Sequence, residues 1–233
     1  MSKEPLLALH EITKTYGGVH ALTEVSLQVH RGEVHAVVGE NGAGKSTMMK
    51  IIAGAVSPTS GRMEYEGAEV SFRGPRDASQ VGIAIVYQEP AYFPEMSVLE
   101  NLYLGEELRT SIGALDWRRM TEGAAEALRA IGLPEQLLSR SMVELSIGTQ
   151  QLVLIARSIH RNCKLLILDE PTAILSLAET EILFKAVRRL RERGVSVLYI
   201  SHRIAEIFEI ADRISVLRDG RLAAAYPIGN VSA

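Results

Sequence analysis

The most specific chemical signal in the chain is "GENGAGKST", residues Gly39 to Thr47, which fits the phosphate-binding pattern G-x-x-x-x-G-K-[ST] and follows the apolar run "HAVV" without a gap. Gly39, Gly42 and Gly44 let the backbone curl so that successive amide hydrogens face one point, with Glu40, Asn41 and Ala43 completing the loop. A helix expected from Lys45 onward aims its positive end at the same point. That geometry suits a triphosphate. Lys45 would reach the β and γ phosphates, the Ser46 hydroxyl would ligate Mg²⁺, and Thr47 would bond a further phosphate oxygen.

Three other strand ends carry polar groups of the matching kind. "LLILDE" closes on Asp169 and Glu170, and a buried strand delivers such acids to the edge where open α/β sheets bind ligands. Asp169 is placed to hold Mg²⁺, directly or through water, and Glu170 to polarise a water aligned on the γ phosphate. "VSVLYISH" ends at His202, whose imidazole could touch the γ phosphate and hold that water. "IAIVYQE" reaches Gln88, a neutral amide able to ligate Mg²⁺ or the attacking water. Alone, each has a bland reading: two acids in a solvated turn, a structural histidine, a polar surface amide. The stretch "LSIGTQQLVLIAR" begins with Ser146 as an expected N-cap and buries Leu152, Ile155, Ala156 and Ile159 on one face. It is either a capped core helix or a second anion site at a helix start.

Elements to position these groups can be read from the pattern. Apolar runs "LLALHEI", "VSLQVH", "EVHAVVG", "IAIVYQ", "LLILDE", "VSVLYISH" and "RISVLRDG" alternate with helical stretches and Gly-rich turns, which is how a mixed sheet flanked by helices reads. Between about 92 and 143 the strand signals stop, and "SVLENLYLG" and "WRRMTEGAAEALRAIGL" read as helices of an inserted subdomain, in which Trp117 is expected to pack. At 233 residues and 47% hydrophobic, the chain can bury a sizeable core within one or two domains. Its 25 basic and 28 acidic residues, a formal net charge of −3, include no basic block, which disfavours nucleic acid as a partner. The lone Cys163 has no intrachain partner and suits a reducing compartment. No apolar signal core opens the sequence and no run approaches the roughly 18 apolar residues of a membrane span, so a membrane role is expected to come through a partner.

Taken together, in this order and spacing, the loop at 39–47, Gln88, the "LSIGT" at 145–149, "LLILDEPT" at 165–172 and "SHR" at 201–203 resemble the nucleotide-binding subunit of ABC transporters. The resemblance spans nearly the whole chain. It implies an α/β P-loop NTPase-type fold with a mixed central sheet, an antiparallel β region and an inserted helical subdomain. The chain then reads as one nucleotide-binding domain, with a core of about 1–91 and 144–233 and a helical subdomain of about 92–143 extending into the signature helix to about 160. ATP and Mg²⁺ are the implied ligands, and Tyr16 in "KTYGG" matches the aromatic that stacks on adenine.

By the same resemblance Leu145, Ser146, Ile147, Gly148 and Thr149 bind the γ phosphate of ATP held by a second nucleotide-binding domain, so that two domains sandwich two nucleotides head to tail. Three departures stand out: Ile147 replaces the usual first glycine, Thr149 the usual glutamine, and Ser176 the aspartate common after the acidic pair. "VELSIGTQQ", "ALDWRRM", "EPTAILSLAETEILF" and "YISHRIAEIFEIADRISVLRDG" look like the first of the two fused copies in importers of pentoses and related sugars. A single copy reads as either a fragment or a stand-alone half. The implied partners are membrane permease subunits, contacted through Gln88 and "EPAYFPEMSVLENLYLG", and indirectly an extracytoplasmic solute-binding protein. The implied location is the cytoplasmic face of the membrane, peripheral through the permease. Two alternatives share the motifs: a soluble ABC ATPase outside transport, and a catalytically weak regulatory half of a tandem ATPase.

Overall fold

The computed structural model describes residues 4–87, 91–160 and 162–230. The chain forms two compact units, one running up to Ile85 and taking in Lys164–Glu170 and the stretch from Arg191 onward, the other built from Val86–Cys163 and Pro171–Leu190.

In the first unit the elements are β1 (Pro5–Tyr16), β2 (Val19–His30), β3 (Val34–Val38), α1 (Lys45–Ile52), β4 (Ser60–Tyr65), β5 (Ala68–Val70), α2 (Pro75–Gln80) and β6 (Ile83–Val86, whose last residue belongs to the second unit). The second unit holds α3 (Val98–Tyr103), α4 (Trp117–Ile131) and α5 (Ile147–His160). The chain then returns to the first unit with β7 (Leu165–Asp169), leaves it for most of α6 (Leu177–Glu192), and ends there with β8 (Ser196–Ile200), α7 (Ile204–Ile210), β9 (Arg213–Arg218) and β10 (Arg221–Pro227).

Two sheets make up the first unit. An antiparallel sheet has the order β2-β1-β4-β5, and a larger one has the order β10-β9-β3-β8-β7-β6. In the larger sheet β3 runs parallel to both β8 and β9, β7 runs parallel to β8, and β10 is antiparallel to β9, so the sheet is mixed. The difference is visible in composition. Strands β3 and β8 are buried at every residue, as parallel strands covered on both faces must be, whereas β2 alternates, with Val25, Leu27 and Val29 inward and their neighbours outward. Leu9, Ile12, Leu22 and Leu27 of the antiparallel sheet share one core with Met48, Met49 and Ile52 of α1 and with Val37, Ile167 and Leu198 of the larger sheet. Each such side chain contributes on the order of 1.5–3 kcal/mol through burial, and together they hold α1 in a fixed place between the two sheets. Register completes the positioning: Val37 pairs with Ile200, and Ile200 with Asp169, so the ends of β3, β8 and β7 lie level.

The second unit is helical. Helix α3 opens with a capping box, in which the Ser97 hydroxyl accepts from Glu100 N and the Glu100 carboxylate accepts from Ser97 N. Asp116 caps α4 by accepting from Arg119 N, and the left-handed Gly132 ends it. Met120, Ala124, Ala127, Leu128 and Ile131 form the buried stripe of α4. Helix α5 is buried nearly all round, with Leu152, Val153, Ile155 and Ala156 interior, and the Tyr103 ring meets that of His160 at 4.2 Å. Trp117 does not pack as expected. It is 48% exposed, because it sits in the first turn of α4, ahead of the stripe that begins at Met120. Among the described residues no helix is long and apolar enough to cross a membrane.

Candidate functional site

The loop 39–44 runs from β3 straight into α1. Gly42 and Gly44 adopt positive φ of 84° and 102°, and a Cβ on Gly44 would stand 2.6 Å from the Ala21 carbonyl oxygen, so only glycine lets the loop curl this closely against β2. Helix α1 has no side-chain cap, which leaves its first-turn N–H groups facing the loop. Lys45 is only 6% exposed, and its ammonium donates to the carbonyls of Gly39 at 2.7 Å and Glu40 at 3.0 Å. Among the described residues no carboxylate forms an ion pair with it. A buried cation held by carbonyls beside an uncapped helix start is a cradle for an anion. Ser46 and Thr47 follow in the first turn, with Ser46 exposed. Tyr16 is 46% exposed at the turn of the β1–β2 hairpin, with the Lys14 ammonium 5.0 Å from its ring centroid.

At the level ends of β7 and β8 stand Asp169, Glu170 and His202. Burial, and then the charge of Glu170, push the Asp169 carboxyl above its usual range, while Lys45 and Lys50 pull it back. Glu170 sits in the left-handed region, with φ 44°, and its N–H donates to the Ile200 carbonyl at 2.9 Å. That places Glu170 Oε1 3.3 Å from His202 Nδ1. The donors assigned to a metal, the Ser46 hydroxyl and the Asp169 carboxylate, are hard oxygens, and burial together with the neighbouring Glu170 disfavours the charge on Asp169. This set fits Mg²⁺, which keeps water and phosphate oxygens as its other ligands. Gln88, assigned to the same group, lies outside the described residues.

The "LSIGT" residues belong to the second unit. Ser146 caps α5 as expected, its hydroxyl accepting from Thr149 N at 3.3 Å and its carbonyl from Gln150 N at 2.9 Å. Ile147 is 52% exposed, whereas Gly148 is buried. The Thr149 and Ser146 hydroxyls are 3.1 Å apart.

Against known proteins, residues 22–173 match the model of the family described as ABC transporter. The chain belongs to that family. It is 45% identical over 98% of its length to the ribose import ATP-binding protein RbsA 2 of Streptomyces avermitilis, and 45% identical over its whole length to RbsA of Yersinia pestis. It spans 45% and 46% of those two proteins, about half the length of the curated relatives it matches. Among solved structures, a nucleotide-free ATP-binding cassette from an ABC transporter superposes with a TM-score of 0.86 at 30% identity, covering 96% of this chain and 92% of that one. A dimeric bacterial ABC transporter cassette superposes with a TM-score of 0.81 at 28% identity, covering 95% of this chain and 98% of that one. The chain thus has the P-loop fold of an ABC ATPase.

Within this ABC cassette several buried, hydrogen-bonded polar residues carry no motif signal. The buried Glu206 carboxylate accepts from Tyr199 Oη at 3.0 Å, Ser201 Oγ at 3.2 Å and Arg203 at 3.2 Å, so it holds both neighbours of His202. Its spacing four residues past His202 was the available clue. In the second unit Gln150 donates to the carbonyls of Met142 and Leu145 and accepts from Tyr92 Oη at 2.8 Å. Asn101 Nδ2 donates to the carbonyls of Phe93, Met96 and Ser97, which fixes the loop before α3. The departure at Ser176 has a local reason: its hydroxyl accepts from Glu179 N and donates to the Glu179 carboxylate, a serine capping box at the start of α6 that the S-x-x-E spacing announces.

Proposed function

We propose that this chain hydrolyses ATP to power import of a solute, most simply a sugar, through an ABC transporter. The observation that carries the reading is the set of level strand ends, which puts the Lys45 loop, Asp169, Glu170 and His202 on three neighbouring strands. Lys45 and the α1 dipole neutralise phosphate charge, and the rest of the loop, Gly39 to Gly44 with Ser46 and Thr47, supplies the cradle. Ser46, Asp169 and Gln88 would hold Mg²⁺, which shields the phosphates when bound. Glu170 takes the proton of the attacking water, and His202, 3.3 Å from Glu170 Oε1, fixes the water's position. Tyr16 offers its ring to adenine.

Leu145 to Thr149 are assigned to the γ phosphate of a second nucleotide-binding domain, a reading supported by the relative solved as a dimer. The inserted helices, about 92–143 and on through α5 to about 160, form the arm that meets the permease, and an extracytoplasmic binding protein selects the solute. Tyr92, within the segment assigned to permease contact, is bonded to Gln150 beside the signature, so movement at one is passed to the other. The location that follows is the cytoplasmic membrane face, through the permease. Sugar is supported by relatives named for ribose import.

Glu170→Gln tests the catalytic part, since it keeps shape and removes the charge. In the assembled transporter, ATP binding should persist while hydrolysis falls by about 100-fold or more. Turnover within threefold of the parent would overturn the assignment. Ribose uptake by the same assembly tests the solute.

A further inference from the structure

Gly148, the second residue of α5, presents the backbone N–H assigned above to the partner's γ phosphate. In this chain that N–H already has an acceptor: it donates to Glu179 Oε1 at 3.1 Å. The other carboxylate oxygen accepts from Ser176 Oγ at 2.8 Å and from Ser176 N at 3.1 Å. The Ser146 hydroxyl, bonded to Thr149 N and 3.1 Å from the Thr149 hydroxyl, also lies near enough to help hold that carboxylate ionised. The fit is close, since a Cβ on Gly148 would lie 2.6 Å from Glu179 Oε1 and 2.7 Å from Cδ. The protein's own anion therefore sits on the start of a 14-residue helix, at the two groups, Ser146 and Gly148, that a phosphate would use.

We propose that Glu179 competes with the partner's γ phosphate for the signature, holding Gly148 and Ser146 until a nucleotide triphosphate displaces it. The proposal rests on the reading that the signature serves a nucleotide held by the partner. One N–H hydrogen cannot bond well to a carboxylate and a phosphate oxygen together, and two anions at such separation repel. Rotation about the Glu179 side chain frees Oε1 from Gly148 while Oε2 stays with Ser176, so the α6 cap survives the exchange. The Ser176 backbone and hydroxyl, then Ser146 and Gly148, push the Glu179 carboxyl down to about 2. It is thus ionised at any working pH, and protonation does not empty the niche; a stronger anion does. A partner carrying ADP brings no γ phosphate and meets a signature already satisfied. Glu179 is therefore a residue that determines specificity for ATP over ADP at closure, and Ser176 positions it.

The test uses the full 233-residue chain, labelled with ¹⁵N and titrated with inorganic phosphate while the Gly148 and Gly42 amide resonances are followed separately. Glu179→Gln, folded as judged by a thermal midpoint close to the parent's, should bind phosphate at Gly148 at least fivefold more tightly, with Gly42 titrating as in the parent. Ser176→Ala, which loosens the carboxylate without removing it, should fall between the two. Equal or weaker phosphate binding at Gly148 in Glu179→Gln overturns the competition and leaves the signature reading intact. Phosphate that shifts Gly42 in every variant and Gly148 in none overturns the signature reading itself, and the proposal with it.

Discussion

At the start of α1 no side chain caps the helix, and a buried ammonium waits on carbonyl oxygens; at the start of α5, Ser146 takes the Thr149 N–H and Glu179 takes that of Gly148. Both are helix starts assigned to phosphate, yet one is prepared by leaving donors open and the other by filling them. An open cradle gains by binding as soon as nucleotide arrives. A filled one gains only by exchange, so it discriminates between incoming anions. The first preparation suits a site that must bind alone, and the second suits a site that must respond to what a partner brings.

The contrast can be broken most directly at Lys45. Lys45→Ala should abolish protection of the chain by ATP·Mg²⁺ against heat, which for a bound ligand at about 100 times its Kd is worth about 2.7 kcal/mol. Ser146→Arg, in the filled niche, should leave that protection nearly unchanged. If both variants lose protection equally in the isolated chain, the two helix starts serve one nucleotide and the contrast collapses. A smaller effect is expected behind the open site, where Glu206 holds the residues flanking His202. Glu206→Gln should lower kcat about tenfold with KM for ATP within twofold, whereas a residue serving stability alone would lower the thermal midpoint and spare kcat per folded molecule.

The smallest effect concerns Asp169. Burial and Glu170 raise its carboxyl above the ordinary 3.8, so the folded chain holds that proton more tightly than the unfolded chain does. Ionised Asp169 is then a destabilising charge at neutral pH, and its cost fades as pH falls through the window from the raised value down to 3.8. Asp169→Asn should raise the nucleotide-free thermal midpoint at pH 7 by a few degrees and flatten the pH dependence in that window, while weakening the Mg²⁺-dependent part of ATP protection. An unchanged midpoint would mean that the lysines already neutralise the site.

Much of this was legible because local rules govern it. The loop at 39–47 and the strand ends at Asp169 and His202 follow from short patterns, and β3 and β8, apolar apart from His35 and Ser196, read as interior. Strand β4 was missed because "SGRMEY" buries just Met63 and Tyr65, too little alternation to stand out, and β5 has three residues. Trp117 misled because a large ring predicts burial only where a buried stripe has begun. The contacts of Gln150 with Tyr92 and of Gly148 with Glu179 join residues 58 and 31 positions apart. No periodicity encodes such a pairing; tertiary packing alone brings these groups together.

The left-handed backbone at Glu170 has a consequence for how this position can change over generations. A residue with a side chain is held there, at φ 44°, in a conformation that glycine alone adopts without strain. Replacement by glycine is one nucleotide change from a glutamate codon, and it would relax the backbone while deleting the carboxylate. If Glu170 serves turnover as proposed, selection for stability and selection for turnover pull in opposite directions at this position. A lineage relieved of the need to hydrolyse ATP would be expected to drift downhill here first.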